Sequence, residues 1–208
     1  MISIAVIIIL SYLAGSLPTS IIAGKVLKSI DIREHGSGNA GATNVFRVLG
    51  WKAASVVGII DLLKGFVATV YISGIAFGDV PVSHDIVRIA AGLSAVIGHI
   101  WTVFSGFKGG KGVLTVIGMF FGLSPVSVIL CIAVASTVFM VTKYVSATSI
   151  TGAVSLVMIV AIRKYLLMHD IGTTLFFLTL LTSVLIIFTH RSNIQRLING
   201  TEIKFSDK

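Results

Sequence analysis

The sequence predicts an all-α integral membrane protein, a bundle of seven transmembrane helices. Three observations predict it. Of 208 residues, 55% are hydrophobic and only 12% charged, about half the charged share of an ordinary soluble domain. The apolar runs reach the roughly 20 residues that cross a bilayer at 1.5 Å rise per residue. The basic residues collect in short polar segments between those runs, as the positive-inside rule requires. Mean hydropathy is +1.03, and no polar stretch is long enough for a soluble domain, so residues 1–208 read as a single transmembrane domain.

The apolar runs fall at 2–24, 53–78, 86–107, 112–142, 146–166 and 171–189. They lack strict alternation and are too long for strands. The first carries no Lys or Arg before its apolar stretch, which fits a retained span rather than a cleaved signal peptide. The second contains Asp61 and Lys64, three apart and so on one helical face. Each alone at mid-bilayer costs about 2.5–3.5 kcal/mol; as a pair they are either a polar cavity wall or a structural ion pair. The third run ends near His99, which in apolar surroundings reads first as a structural residue. The fourth run has 31 residues and is interrupted by GLSP at 122–125. Pro125 disfavours helix at Ser124 and lacks an N–H. Two helices, about 112–122 and 125–142, make a hairpin; a kinked single span is the alternative.

With that hairpin the count is seven, the N-terminus lies outside, and four basic segments lie inside. These are 25–52, 107–112, 143–146 and 189–208. They hold Lys25, Lys28, Arg33, Arg47, Lys52, Lys108, Lys111, Lys143, Arg191, Arg196, Lys204 and Lys208, 12 of the 16 Lys and Arg residues. Arg163 and Lys164 fall outside, a mild violation. The net charge of +8 therefore does not call for nucleic acid. Basic clusters at a membrane surface also attract anionic lipids and phosphorylated substrates. The single cysteine, Cys131, excludes an intrachain disulfide and any Cys-rich metal site.

Three segments could carry chemistry. GSGNAGATNVFR, 36–47, combines glycines with neutral hydrogen-bonding groups, Ser37, Asn39, Thr43 and Asn44, and one planar cation, Arg47. It also reads as a turn capping a helix that begins near Thr43, and a helix start suits phosphate. GFKGGKG, 106–112, is a glycine loop bearing Lys108 and Lys111 before an apolar helix. It is not a phosphate-binding loop of the nucleotide hydrolases, because Gly112 stands where a magnesium-holding Ser or Thr is needed. Phosphate binding still suits it. THRSNIQRLINGTE, 189–202, spaces His190, Asn193 and Arg196 by three, so they share a helical face. No His, Asp or Glu stands near His99 at metal-ligand spacing, and His35 is either a loop residue or a phosphate contact. Together the segments form a surface rich in phosphate-binding groups and poor in carboxylates. An anionic, phosphorylated substrate at the membrane interface follows; chemistry on it and transport of it both stay open.

SGNAGATNVFR, GHIWTVFSGFKGGKGV and THRSNIQRLINGTE, in this order, resemble the three motifs of the PlsY family of bacterial acyl-phosphate:glycerol-3-phosphate acyltransferases. The likeness covers nearly the whole chain; Ala40 stands where the family often has proline. It implies seven transmembrane helices in the bacterial inner membrane with the active site facing the cytoplasm. It implies acyl transfer from acyl phosphate to the 1-hydroxyl of sn-glycerol 3-phosphate, giving lysophosphatidic acid and phosphate. It implies no cofactor, no metal, and a functional link to the enzyme that makes acyl phosphate. By motif position it implies functional roles for Ser37, Arg47, Lys108, His190 and Asn193. It implies substrate contacts at Thr43, Asn44, Gly109, Gly110, Lys111, Gly112 and Ser146, and a structural role for Glu202. The proton acceptor is then either His190 or a substrate phosphate.

Overall fold

The structure, a computed structural model, describes residues 2–75, 82–169 and 171–205. Every regular element among those residues is a helix. The chain forms two compact units, residues 1–123 and 124–208. The far end of the second apolar run and Lys208 lie outside the described residues.

The first unit holds six helices. α1 (Ile2–Ser16) and α2 (Thr19–Lys28) come from the first apolar run, which Leu17 and Pro18 break in two. Proline supplies no N–H to continue the ladder. α3 (Ala42–Leu49) follows the first glycine-rich segment and leads through Gly50 into α4 (Trp51–Val70). α5 (His84–Ile100) and α6 (Val113–Leu123) flank the second glycine loop. α3 starts at Ala42, one residue before Thr43, and its cap position is Gly41 with no side-chain cap. Capping by Thr or Asn is therefore not what starts this helix.

The helices of this unit meet through small residues. A Cβ on Gly65 of α4 would collide with the Thr115 carbonyl of α6, and one on Gly118 of α6 with the Leu62 carbonyl of α4. The α1–α5 contact has the same character: Gly15 faces the Ala95 backbone and Gly98 faces the Tyr12 carbonyl. Where lipid removes the hydrophobic drive between helices, close backbone packing takes its place. The burial pattern agrees. Ser11, Ser16, Thr69 and Thr115 are buried, while Ile9, Val56, Ile59 and Leu63 face outward.

Asp61 and Lys64 resolve as a buried ion pair, with Lys64 Nζ 2.6 Å from Asp61 Oδ1. Thr19 Oγ1 donates to the same carboxylate oxygen at 2.6 Å. Lys64 also donates to the Leu17 carbonyl at 2.6 Å and to Thr19 Oγ1 at 3.1 Å. Its three protons are thus placed, and both charges are compensated. The two sequence readings are compatible here: the residues form an ion pair, and Lys64 also lines a small cleft.

The second unit holds α7 (Pro125–Thr142), α8 (Val145–Ala161), α9 (Thr173–Thr189) and α10 (Arg191–Ile198). The run 112–142 is thus two helices, ending at Leu123 and restarting at Pro125. α8 runs into a π-turn at Ile162–Leu166. There Arg163 donates to the hydroxyls of Ser124 and Ser127 at 3.1 and 2.7 Å, at the start of α7. Cys131 is half-buried, its thiol donating to the Gly152 carbonyl.

Among the described residues, five helical segments are long and apolar enough to cross a membrane: Ile2–Lys28, Trp51–Gly74, His84–Ser105, Pro125–Thr142 and Val145–Leu166. α9 and α10, bent by 60°, make a sixth if they are one span. α6 has 11 residues, only about 16 Å at the α-helical rise, short of a hydrocarbon core of about 30 Å.

Gly118→Ala is expected to lower the thermal midpoint in detergent, at an overpacking cost of about 1–3 kcal/mol. Gly152→Ala is the control, since its Cβ would meet the nearest side-chain atom at an ordinary 3.6 Å. Equal midpoints for the two variants would refute the close α4–α6 contact.

Candidate functional site

Residues 30–44, an irregular loop running into the first turn of α3, are held by two side chains. Asn44 is 1% exposed. Its Nδ2 donates to the carbonyls of Ile32 and His35, both at 2.9 Å, and its Oδ1 accepts from the Ser37 amide at 2.8 Å. One buried amide therefore folds the loop that presents Ser37. The Ser37 hydroxyl makes no hydrogen bond among the described residues. Asp31 is the second organiser. Its carboxylate grips Arg33 at Nε and at Nη2, the latter at 2.7 Å. The hydrogen bonds from Arg33 hold the Asp31 carboxyl at about 2, below its ordinary range. Asp31 in turn raises the Arg33 guanidinium. His35 donates from Nδ1 to the Asp31 carbonyl at 3.1 Å, which makes it a loop residue.

Arg33 reaches further. Its Nη1 donates to the Ser105 carbonyl at 3.0 Å, tying the 30–44 loop to the one after α5. The two loops also meet at Gly110, where a Cβ would press on the Ala40 carbonyl. The first two motifs are thus brought together within one unit.

The 106–112 loop is fastened to the end of α5. The Gly109 amide donates to the Ile100 carbonyl at 3.0 Å and the Gly110 amide to the His99 carbonyl at 3.1 Å. These N–H groups satisfy the orphan carbonyls of a helix C-terminus and point toward α5. The two glycines are needed for proximity: a Cβ on Gly109 would strike the His99 carbonyl and one on Gly110 the His99 ring. Gly112 adopts φ +83°, a conformation that favours glycine, and α6 begins one residue later. Lys108 is exposed, with no ion pair or side-chain hydrogen bond of its own among the described residues. Lys111, Arg47 and Thr43 are partly buried.

The third motif lies in the second unit. His190 sits between α9 and α10, 3% exposed, and its Nδ1 donates to the Ile186 carbonyl at 2.8 Å. That bond fixes the tautomer and leaves the lone pair on Nε2. Asn193 and Arg196, on one face of α10, both reach Glu202: Asn193 Nδ2 at 2.6 Å and Arg196 Nε at 2.7 Å. Ser146 Oγ donates to the same carboxylate at 2.8 Å. The tail is turned back by the Phe205 amide, which donates to the Lys143 carbonyl, and by the Phe139–Phe205 ring contact at 5.3 Å. Burial raises the Glu202 carboxyl, but the hydrogen bonds from Asn193, Ser146 and Arg196 outweigh it and hold the group below its ordinary value.

Sequence reasoning missed three residues of these sites. Arg33 figures in the sequence only among the basic residues of 25–52 and Asp31 carries no expectation; their i,i+2 spacing is compatible with a side-chain clamp but does not require one. His99 was read as structural, and its place against the glycine loop depends on a chain reversal that the sequence does not reveal.

Asp31→Asn is expected to loosen the 30–44 loop. The clamp contributes fully above the ordinary aspartate value and is lost as pH falls through about 2. The protection factors of the residue 32–38 amides, which correct exchange for its intrinsic pH dependence, should therefore fall between about pH 4 and pH 2, and Asp31→Asn should show low protection already at neutral pH. Protection factors in the parent protein that do not change with pH over this range would contradict the clamp.

The relatives agree with this picture. The family model described as glycerol-3-phosphate acyltransferase matches residues 5–200. A protein named glycerol-3-phosphate acyltransferase from Chlorobaculum tepidum is 46% identical, over 99% of this chain and 98% of its own. One of the same name from Chlorobium chlorochromatii is also 46% identical, with the same coverage. A crystal structure of PlsY (YgiH), an integral membrane glycerol 3-phosphate acyltransferase in its glycerol 3-phosphate form, superposes with a TM-score of 0.81. It is 34% identical and covers 98% of this chain and 96% of its own. Its lysophosphatidic acid form gives 0.80. With two glycine-rich motif loops locked together and near-complete coverage by such relatives, this chain is a multi-pass membrane acyltransferase and belongs to the glycerol-3-phosphate acyltransferase family.

Proposed function

We propose that the protein transfers an acyl group from acyl phosphate to the 1-hydroxyl of sn-glycerol 3-phosphate, giving lysophosphatidic acid and phosphate. The observation that carries this is the joined pair of loops at 30–47 and 105–112, which bear Ser37, Arg47, Lys108 and Lys111 in a chain of this family. The solved relative described in glycerol 3-phosphate and lysophosphatidic acid forms supports the acceptor and the product. The donor and the inner-membrane, cytoplasm-facing site rest on the motif resemblance and the distribution of basic residues. So does a topology of seven apolar helices with the N-terminus outside.

The chemistry is economical. Acyl phosphate is already activated, and its leaving group is phosphate. The acceptor hydroxyl attacks the acyl carbonyl, its proton leaves, and the carbon–oxygen bond to phosphate breaks. Two anions must be held at once, and Arg47, Lys108 and Lys111 supply the positive charge. Good positioning is worth up to about 7–11 kcal/mol, and donors at the developing oxyanion add to it. Ser37 and Thr43 offer hydroxyls for hydrogen bonds. Asn44 serves through the loop it holds, and Gly109, Gly110 and Gly112 through the close path they allow the chain. His190 is held by its Nδ1 bond to the Ile186 carbonyl, and Asn193 and Ser146 are oriented by Glu202. Proton transfer to a substrate phosphate is favoured over transfer to His190, because phosphate is a competent base near neutral pH. No acyl-enzyme is invoked, since Ser37 has no adjacent base.

Purified protein should acylate glycerol 3-phosphate with acyl phosphate and release phosphate; activity with acyl-CoA alone would overturn the donor assignment. Lys108→Ala and Arg47→Ala should each raise KM for glycerol 3-phosphate about tenfold or more, the loss of a charge-assisted hydrogen bond, with little change in thermal midpoint. Unaltered kinetics would remove these residues from the mechanism.

A further inference from the structure

Beneath the glycine loop lies a small, partly open cleft of about 10 Å³, room for one hydroxyl or water, lined in part by Ser20, Ala40, Lys64, His99, Gly109 and Gly110. Its walls include Ala40 of the first motif and His99, Thr102, Gly109 and Gly110 of the second. Lys64 is the nearest cation, yet its donors go to Asp61, Thr19 and the Leu17 carbonyl. Asp61 and Lys64 cancel in charge, so the floor is neutral. A neutral polar group suits it better than a phosphate, for which the same loops hold Arg47 and Lys108.

One polar group of this floor is left over. The His99 side chain is 9% exposed, and its Nδ1 lies 3.6 Å from Asp61 Oδ1. The carboxylate favours the tautomer with the proton on Nδ1, which puts the lone pair on Nε2. Nε2 makes no hydrogen bond among the described residues. It is the ring atom nearest the point where a Cβ on Gly110 would sit, so this edge of the ring abuts the loop. The ring borders the cleft and this nitrogen is not sealed off, so it is open to a hydroxyl that enters there.

We propose that His99 is a substrate-contacting residue, its Nε2 accepting a hydrogen bond from a hydroxyl of the acyl acceptor. This rests on the acyltransferase reading above. It gives the acceptor two kinds of hold: cations on the motif loops for its phosphate, and one neutral acceptor beneath them for its glycerol end. Asp61 then has two duties, balancing Lys64 and setting the His99 tautomer.

The test uses purified full-length protein in detergent, with acyl phosphate and glycerol 3-phosphate. A Gln side chain carries its amide to about the place of Nε2, and an Asn side chain to about the place of Nδ1. His99→Gln should keep KM for glycerol 3-phosphate within roughly threefold of the parent. His99→Asn and His99→Leu should raise it about tenfold, with KM for acyl phosphate and the thermal midpoint unchanged across the three. If His99 serves only as a structural neighbour of Asp61, the order reverses and Asn is the better replacement; that order, or equal KM values in all three, overturns the proposal. Should the variants fail to fold, the unmutated protein labelled with 15N-histidine decides, each signal being assigned by substituting the other four histidines in turn. Glycerol 3-phosphate should move the His99 Nε2 resonance while inorganic phosphate leaves it in place, and no movement with glycerol 3-phosphate overturns the proposal. If the unmutated protein does not acylate glycerol 3-phosphate at all, the functional reading falls first. If it does and the His99 results fail, only this inference falls.

Discussion

The first unit is built around one buried ion pair. Lys64 and Asp61 lie three residues apart on α4, and neither can be left uncompensated away from water. The break at Leu17 and Pro18 exposes a carbonyl that Lys64 takes, and Thr19 adds its hydroxyl to Asp61. The Asp61 backbone carbonyl accepts from Thr115 of α6 at 3.0 Å. His99 of α5 stands on the remaining side. Four separate stretches of chain therefore converge on a single charge pair. The last turn of α5 then carries the constraint outward, because the carbonyls of His99 and Ile100 hold the glycine loop in place.

Carboxylates are scarce in this chain, eight against sixteen Lys and Arg, and three of them are spent on structure. Asp61 anchors the helices of the first unit. Asp31 fixes Arg33, and through it the junction of the two motif loops. Glu202 gathers Ser146, Asn193 and Arg196 in the second unit. Each satisfies a specific set of donors, and none of the three pairs with Lys108. A surface that keeps its positive charge in this way is suited to anionic substrates at a membrane. The same economy argues against carboxylate-based acid–base catalysis and for a mechanism of positioning.

Glycine has two distinct uses here. In the helices it lets backbones touch, as at Gly65 and Gly118 across α4 and α6. In the loop it lets residues 109 and 110 lie against the end of α5. The amides of these two glycines complete a helix terminus and do not face outward. What the loop offers a phosphate is then its lysines and its shape.

The sequence by itself determined the helices, the restart at Pro125, the positions of the three motifs and the family. These are local properties. Hydropathy, proline and motif order are read along the chain, and each acts over a few residues. Pro18 was present in the first apolar run, but whether a proline kinks or divides a helix depends on what satisfies the carbonyls at the break, and here the Leu17 carbonyl is taken by Lys64, forty-seven residues away. The same limit hid the roles of Asn44, of the Asp31–Arg33 clamp on Ser105, of Glu202 as the hub for Ser146 and Asn193, and of His99 under Gly110. Each depends on which distant backbone or side chain folding brings within about 3 Å, the reach of a hydrogen bond. Only the tertiary structure decided those pairings, because a polar group in a membrane bundle takes whichever partner the packing of small residues allows.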